Sequence, residues 1–181
     1  AGKSTSLLQT KHNYLESNPE TLLVIPEDIG KKSTGKIVSR IGLSADAIVI
    51  DSEYDFYSEI KEINFKKISC IFIDEAQFIS KKQVQSLGRV ADDLNIPVMC
   101  YGIRTDFQGN LFEGSQELLA LADNLKELKT ICSMCNKKAT MVVRLDKNGN
   151  VLLEGEKVVI GGNEIYKTVC RKHFRELTKL I

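Results

Sequence analysis

No run in this 181-residue chain approaches the roughly 18 consecutive apolar residues that a membrane-spanning helix requires, and none of it reads as a secretory signal peptide. An excess of charge of one sign is missing too. Lysine plus arginine number 25 against 24 aspartate plus glutamate, and the net charge of +1 leaves no electrostatic footprint for DNA, RNA or an anionic membrane. Five cysteines are an odd set, which argues against a disulfide framework and for a reducing, cytoplasmic setting. Internal repeats and low-complexity tracts are absent. Apolar material is not scarce: 43% of the residues are hydrophobic, enough for a substantial core, and disorder is excluded. The length suits one domain, or one domain carrying a small appendage.

What is present starts with Cys70-Ile71-Phe72-Ile73-Asp74-Glu75-Ala76-Gln77-Phe78, an apolar run of strand length that ends in two adjacent carboxylates. In a nucleotide-binding α/β protein, that is where a strand delivers an acid to a bound metal ion. The chain opens with Ala1-Gly2-Lys3-Ser4-Thr5, which reads as the second half of a phosphate-binding loop, G-x-x-x-x-G-K-[ST]. Glycine lets backbone N–H groups approach phosphate oxygens, Lys3 would reach the β- and γ-phosphates, and the Ser4 hydroxyl would ligate Mg²⁺. The helix behind them adds a favourable dipole. Asp74 would hold Mg²⁺ through water, and Glu75 is left free to act as a base. An initiating strand and the first half of the loop are expected to precede Ala1. A solvated acid pair is the bland alternative, but it leaves the neighbouring phosphate loop unexplained.

The remaining pattern fits an α/β protein. Helices are expected from Ser4 to about Ser17, around Phe56, Ile60 and Ile63, across Val84, Leu87, Ala91 and Leu94, and across Leu118, Leu119, Ala122 and Leu125. Strands are expected at Thr21 to Ile25, Ala47 to Ile50, the run into Asp74, and Ile96 to Tyr101. That alternation indicates a parallel sheet covered by helices on both faces, with ligands at the strand C-terminal ends. After about Lys129 the texture changes. Ala139 to Leu145 and Val151 to Leu153 read as a hairpin around Asp146-Lys147-Asn148-Gly149-Asn150. The expected division is therefore residues 1–128, a nucleotide-binding domain, and 129–181, a small second lobe.

Cys132-Ser133-Met134-Cys135 and Cys170-Arg171-Lys172-His173 form two ligand pairs with residues 136–169 between them. Three thiolates and one imidazole at such spacing suit tetrahedral Zn²⁺ in a closed structural site, and a lobe this small needs such a staple. Cys70 and Cys100 lie in apolar runs, where a free thiol behaves as a small hydrophobe. His12 is expected on a helix surface.

Taken together, these stretches are similar to the zinc-containing cytosolic thymidine kinases of bacteria, animals and poxviruses. The matching residues include Ala1 to Thr5, Ser39-Arg40-Ile41-Gly42, Asp74 to Phe78, and Gly102-Ile103-Arg104-Thr105-Asp106-Phe107-Gln108-Gly109. Others are Cys132 with Cys135, Val159-Ile160-Gly161-Gly162-Asn163-Glu164, and Tyr166 through His173. The resemblance implies an α/β, P-loop NTPase-like parallel sheet with a zinc-binding β-ribbon lobe. It also implies ATP-dependent phosphorylation of the 5′-hydroxyl of thymidine and deoxyuridine. Glu75 would be the base, and Gly2, Lys3, Ser4, Thr5, Asp74 and Gln77 would bind ATP and Mg²⁺. Phe107, Phe112, Val159, Ile160, Gly161, Gly162 and Tyr166 would enclose the nucleoside, and Cys132, Cys135, Cys170 and His173 would bind zinc. It further implies a homotetramer inhibited by thymidine triphosphate, with no nucleic-acid or membrane partner.

The family's Asp-x-Arg pair after the second strand has no counterpart in register. Asp28 and Lys31 stand there, and no role is carried onto them. Plain core positions remain the alternative for Phe107 and Phe112, and a simple turn the alternative for Gly161-Gly162. At the level of function, the alternative is a P-loop ATPase whose zinc ribbon binds a partner or nucleic acid. A helicase-type engine would need a second nucleotide-binding lobe, for which the chain has no room.

Overall fold

The computed structural model describes residues 2–15, 20–30, 34–63, 67–155 and 165–181. The chain forms two compact units. One comprises Gly2–Ile103 and Glu113–Leu125, and the other Arg104–Phe112 and Lys126–Ile181.

The first unit is built on a parallel sheet of β4 (Ile48–Ile50), β1 (Glu20–Pro26), β5 (Ile68–Ile73) and β6 (Val98–Cys100), in that spatial order. Both faces of β5 are buried, which is why its sequence is a continuous apolar run rather than an alternation. Ile71 and Ile73 pack with Val24, Phe56, Ile60, Val84, Leu87 and Val90, beneath α3 (Phe56–Glu62) and α4 (Lys81–Leu94). Cys70 and Phe72 point the other way, to Leu7 and Leu8 of α1 (Lys3–Leu15) and to Leu23 and Ile25. The expected two-faced parallel sheet is therefore the observed one.

Local chemistry fixes the helix starts. Asp55 caps α3, accepting from the Tyr57 N–H at 3.2 Å and from the Ser58 hydroxyl at 2.7 Å. Ser80 and Gln83 form a reciprocal capping box at α4. The Gln83 amide also donates to the Asp51 carbonyl at 2.8 Å, tying α4 to the chain beyond β4. Strand β6 starts later than the sequence suggests because Pro97 has no N–H, although its carbonyl still accepts from Ile71. Helix α5 (Glu113–Leu121) stops short of Leu125, which is 65% exposed and has no core to bury against. A short hairpin of β2 (Lys36–Val38) and β3 (Ser44–Asp46), and the single turn α2 (Glu27–Gly30), went unexpected. Segments of three or four residues carry too little periodicity to announce themselves.

In the second unit, β7 (Met141–Leu145) pairs antiparallel with β8 (Val151–Leu152) and with β9 (Ile165–Val169). The hairpin turn is where the sequence places it: Asp146 Oδ1 accepts from Asn148 and Asn150 N–H groups at 2.8 Å, and Gly149 takes φ 86°. Val143, Leu145, Val169 and Phe174 form the core with Cys132 and Cys170, closed by α6 (Arg171–Thr178). Strand β9 and α6 were not foreseen. The segment Arg104–Phe112 folds with this unit as a loop pinned by a Thr105–Leu111 bridge and by Asp106, whose Oδ1 accepts from Gln108 and Asn110 at 2.9 Å.

Helix α5 lies so close to the turn Ala76–Phe78 that a Cβ on Gly114 would meet the Ala76 and Ile79 carbonyl oxygens at 2.6 Å. Backbone cannot yield as a side chain does. Gly114→Ala is expected to destabilise the protein by about 1–3 kcal/mol, read from the midpoint of urea unfolding; an unchanged midpoint would show that α5 shifts freely.

Candidate functional site

Helix α1 begins at Lys3 behind Gly2, whose φ of 72° only glycine adopts at ease, and the Ser6 N–H donates to the Gly2 carbonyl at 2.9 Å. Gly2, Lys3, Ser4 and Thr5, the residues expected to form the phosphate loop, thus sit at a helix N-terminus. From Cys70 onward β5 stays in register with β1 to its last residue, Ile73, and just beyond it the Asp74 N–H donates to the Val24 carbonyl at 3.0 Å. Asp74 is buried, and its Oδ2 accepts from the Ser4 hydroxyl at 3.0 Å. Burial pushes its carboxyl above the ordinary range, and the adjacent Glu75 pushes it further; the Ser4 bond, the Glu75 N–H and Lys3 only partly offset this.

Glu75 adopts φ 50°, ψ 40°, the left-handed region that non-glycine residues avoid at about 1–3 kcal/mol. The strain persists because both flanks are fixed. The Ala76 N–H donates to the Tyr101 carbonyl at 2.9 Å and the Phe78 N–H returns to the Glu75 carbonyl at 3.1 Å. This reversal turns the Glu75 side chain away from the path of Asp74. Its Oε1 lies 3.9 Å from Lys3 Nζ, and its Oε2 accepts from the Gln77 amide. Gln77 is itself buried and accepts from the Ile103 N–H at 3.1 Å, so both ends of its amide are engaged. Gly102 leaves the room this needs, since a Cβ there would stand 2.9 Å from the Gln77 oxygen. Two carboxylates, a lysine and a hydroxyl therefore converge at the C-terminal end of β5, where an open α/β sheet holds its ligands.

In the second unit, Cys132, Cys135, Cys170 and His173 bring their ligand atoms within 4.8 Å of one another. Cys132 Sγ and Cys170 Sγ lie 3.3 and 3.4 Å from His173 Nδ1, and Cys135 Sγ lies 3.9 Å from Cys170 Sγ. A tetrahedron with Zn–S bonds of about 2.3 Å has edges of about 3.8 Å, whereas a disulfide needs about 2.05 Å. The donor set fits zinc. Burial would raise the Cys132 thiol, but N–H groups of Met134 and Cys170 directed at its sulfur outweigh that and bring it down to about 6. His173 Nε2 faces Glu176 at 3.9 Å, the kind of outer partner that orients a ligating imidazole. By contrast, Cys70 and Cys100 are pushed up by burial to about 11 and about 12, as inert core thiols.

Phe107 and Phe112 are both buried in the second unit, and Tyr166 on β9 is 43% exposed. Val159, Ile160, Gly161 and Gly162 lie outside the described residues, as do Lys31 and the Asp28 side chain. One residue escaped the sequence reading. Arg144 is 2% exposed, with its guanidinium 3.9 Å above the Phe107 ring. The available signal was a lone cation inside the strand Met141–Leu145.

A family model described as thymidine kinase matches residues 1–174. The chain belongs to the thymidine kinase family. It is 53% identical over 177 residues to a thymidine kinase of Shewanella oneidensis, covering 97% of this chain and 92% of that protein. It is 50% identical over 179 residues to one of Ruegeria pomeroyi (98% and 90%) and 51% identical over 177 residues to one of Haemophilus influenzae (97% and 91%). A thymidine kinase is a phosphotransferase with an alcohol acceptor, and the cluster at the end of β5 holds the residue types that such a transfer needs. No helix among the described residues is long and apolar enough to cross a membrane.

The raised Asp74 carboxyl has a consequence for stability. Its folded pKa lies above the unfolded value, so its ionised form penalises folding above the folded pKa, and the penalty fades as pH falls toward the unfolded value. Asp74→Asn is expected to unfold at higher denaturant than the parent at neutral pH, with the gap closing in the carboxylate range; a gap independent of pH would show that burial is not the cause.

Proposed function

We propose that this chain transfers the γ-phosphoryl group of ATP to the 5′-hydroxyl of thymidine and of deoxyuridine. The observation that supports this most directly is the pairing of Ser4 with Asp74 and of Lys3 with Glu75 at one strand end. The family membership names the acceptor. In the reaction, the 5′-oxygen attacks the γ-phosphorus, the bond to the ADP oxygen breaks, and the hydroxyl proton passes to the Glu75 carboxylate. Gln77, hydrogen-bonded on both sides, orients that carboxylate. Gly2, Lys3, Ser4 and Thr5 cradle the phosphates, and Ser4 with Asp74 holds Mg²⁺, which neutralises charge on the phosphates when bound.

The nucleoside is held by Phe107, Phe112, Val159, Ile160, Gly161, Gly162 and Tyr166. Backbone groups suit this task, because a buried polar reader rejects bases lacking a partner atom. Cys132, Cys135, Cys170 and His173 would hold a structural zinc ion with four protein ligands, leaving the phosphoryl transfer to the residues at the end of β5. Residues 1–128 are assigned to nucleotide binding and 129–181 to the zinc lobe, with the loop Arg104–Phe112 folding with the latter. By likeness to the family, the enzyme works in the cytoplasm as a homotetramer inhibited by thymidine triphosphate, without a nucleic-acid partner.

The test is thymidylate formation from Mg·ATP and thymidine. Thymidylate with no product from purine nucleosides supports the reading; ADP release without thymidylate overturns it in favour of an ATPase. Glu75→Gln is expected to lower kcat about a hundredfold or more while thymidine binding changes little, because a base acts in the transition state. Equal loss of both would make Glu75 a binding residue. Cys135→Ser is expected to release zinc and lower the melting temperature, checked by metal analysis; full zinc content would remove Cys135 from the ligand set.

A further inference from the structure

Strand β7 offers its two faces to different tasks. Val143 and Leu145 enter the core shared with Cys132 and Cys170, so Arg144 projects from the opposite face, where a charged side chain would ordinarily meet water. It is instead 2% exposed. Phe107 covers the guanidinium on one side, with its ring centre 3.9 Å away. At its edge Arg144 Nη2 donates to the Glu154 carbonyl at 2.8 Å. Gly155 is needed there twice over. Its φ is 120°, and a Cβ would stand 2.4 Å from Nη2. A second tie runs parallel to the first: the Gln108 amide, next to Phe107, donates to the Leu153 carbonyl at 2.7 Å. Arg144 is also paired across the ladder with Tyr166. Side chains directly opposite in an antiparallel pair share a face. One guanidinium therefore touches Phe107 and the Glu154 carbonyl, lies against Gly155, and shares a face with Tyr166.

We propose that Arg144 is a positioning residue for the thymidine reaction: its planar guanidinium holds the Phe107 ring, and with it the loop Arg104–Phe112, in register with residues 153–155. The inference rests on the proposed place of Phe107 at the pyrimidine. A residue with only a packing role would be met by an apolar side chain, whereas here a flat cation stacks on a ring and donates from its edge to a carbonyl, an arrangement lysine cannot reproduce. Arg144 sets where the base binds and takes no part in the movement of the phosphoryl group.

The test compares the parent with Arg144→Lys and Gly155→Ala, each checked for zinc content. Thymidine binding is measured by calorimetry without ATP, and KM and kcat are measured for thymidine and ATP. Arg144→Lys keeps the charge and loses the plane; Gly155→Ala retains the arginine but displaces its guanidinium. Both are expected to raise Kd and KM for thymidine about tenfold, with KM for ATP unchanged and kcat within about threefold. In a Phe107→Leu background, Arg144→Lys is expected to add little, because the two act as a unit. Unchanged thymidine affinity in zinc-loaded Arg144→Lys overturns the inference, as does full additivity with Phe107→Leu. If Arg144→Lys loses zinc, Gly155→Ala decides: a selective rise in thymidine KM sustains the inference and an unchanged one ends it. A parent that neither binds nor phosphorylates thymidine defeats the functional reading itself, a result distinct from an active parent with indifferent variants.

Discussion

The end of β5 is a place where the backbone must reverse while both its flanks are held. Behind it, Ile71, Phe72 and Ile73 are paired with β1 on one side and β6 on the other and buried on both faces. Ahead of it, the turn Ala76–Phe78 is wedged against α5 with no room for a methyl group at Gly114. Glu75 absorbs the difference in a left-handed conformation. A strained residue of this kind persists only where its surroundings over-determine it. Its result is that two neighbouring acids serve different partners, Asp74 the Ser4 hydroxyl and Glu75 the Lys3 and Gln77 side chains.

This frame explains what in the sequence could be read. An apolar run buried on both faces, stopped by two carboxylates, leaves little freedom of interpretation, and a glycine-lysine-serine at a helix start complements it. The cluster of Cys132, Cys135, Cys170 and His173 was legible for a different reason: thiols and an imidazole at short spacing have few uses besides metal binding in a lobe too small for a large core. The helices carried by Phe56 with Ile60 and by Val84 with Leu87 followed from periodicity, which tertiary packing then honoured. Leu125 shows the limit. Its spacing suits the helical face of Leu118, yet the helix ends once nothing remains for it to cover.

Other features were illegible because they arise only from long-range contact. Nothing in the residues Asp74-Glu75-Ala76 announces a positive φ at Glu75, since the angle is imposed by Tyr101 and by the fit of Gly114. Arg144 and Phe107 are 37 positions apart, and neither residue alone signals that one will cover the other. The hairpin of Lys36–Val38 with Ser44–Asp46 is held by three residue pairs and by Ser39, whose hydroxyl accepts from the Leu43 N–H at 2.9 Å. Strands that short have no period to detect.

The loop Arg104–Phe112 leaves the first unit after β6, folds with the second, and hands the chain back to α5. Three covalent joints therefore lie between the units where an ordinary two-domain chain has one. Cutting the gene after Leu125 would not yield a nucleotide-binding half and a metal-binding half. It would leave the ribbon without the aromatic ring that covers its buried arginine, and leave the sheet bearing a loop with no core to enter. Two units that look modular in sequence order have been sewn into a single heritable whole, in which neither can be exchanged for another without carrying those nine residues along.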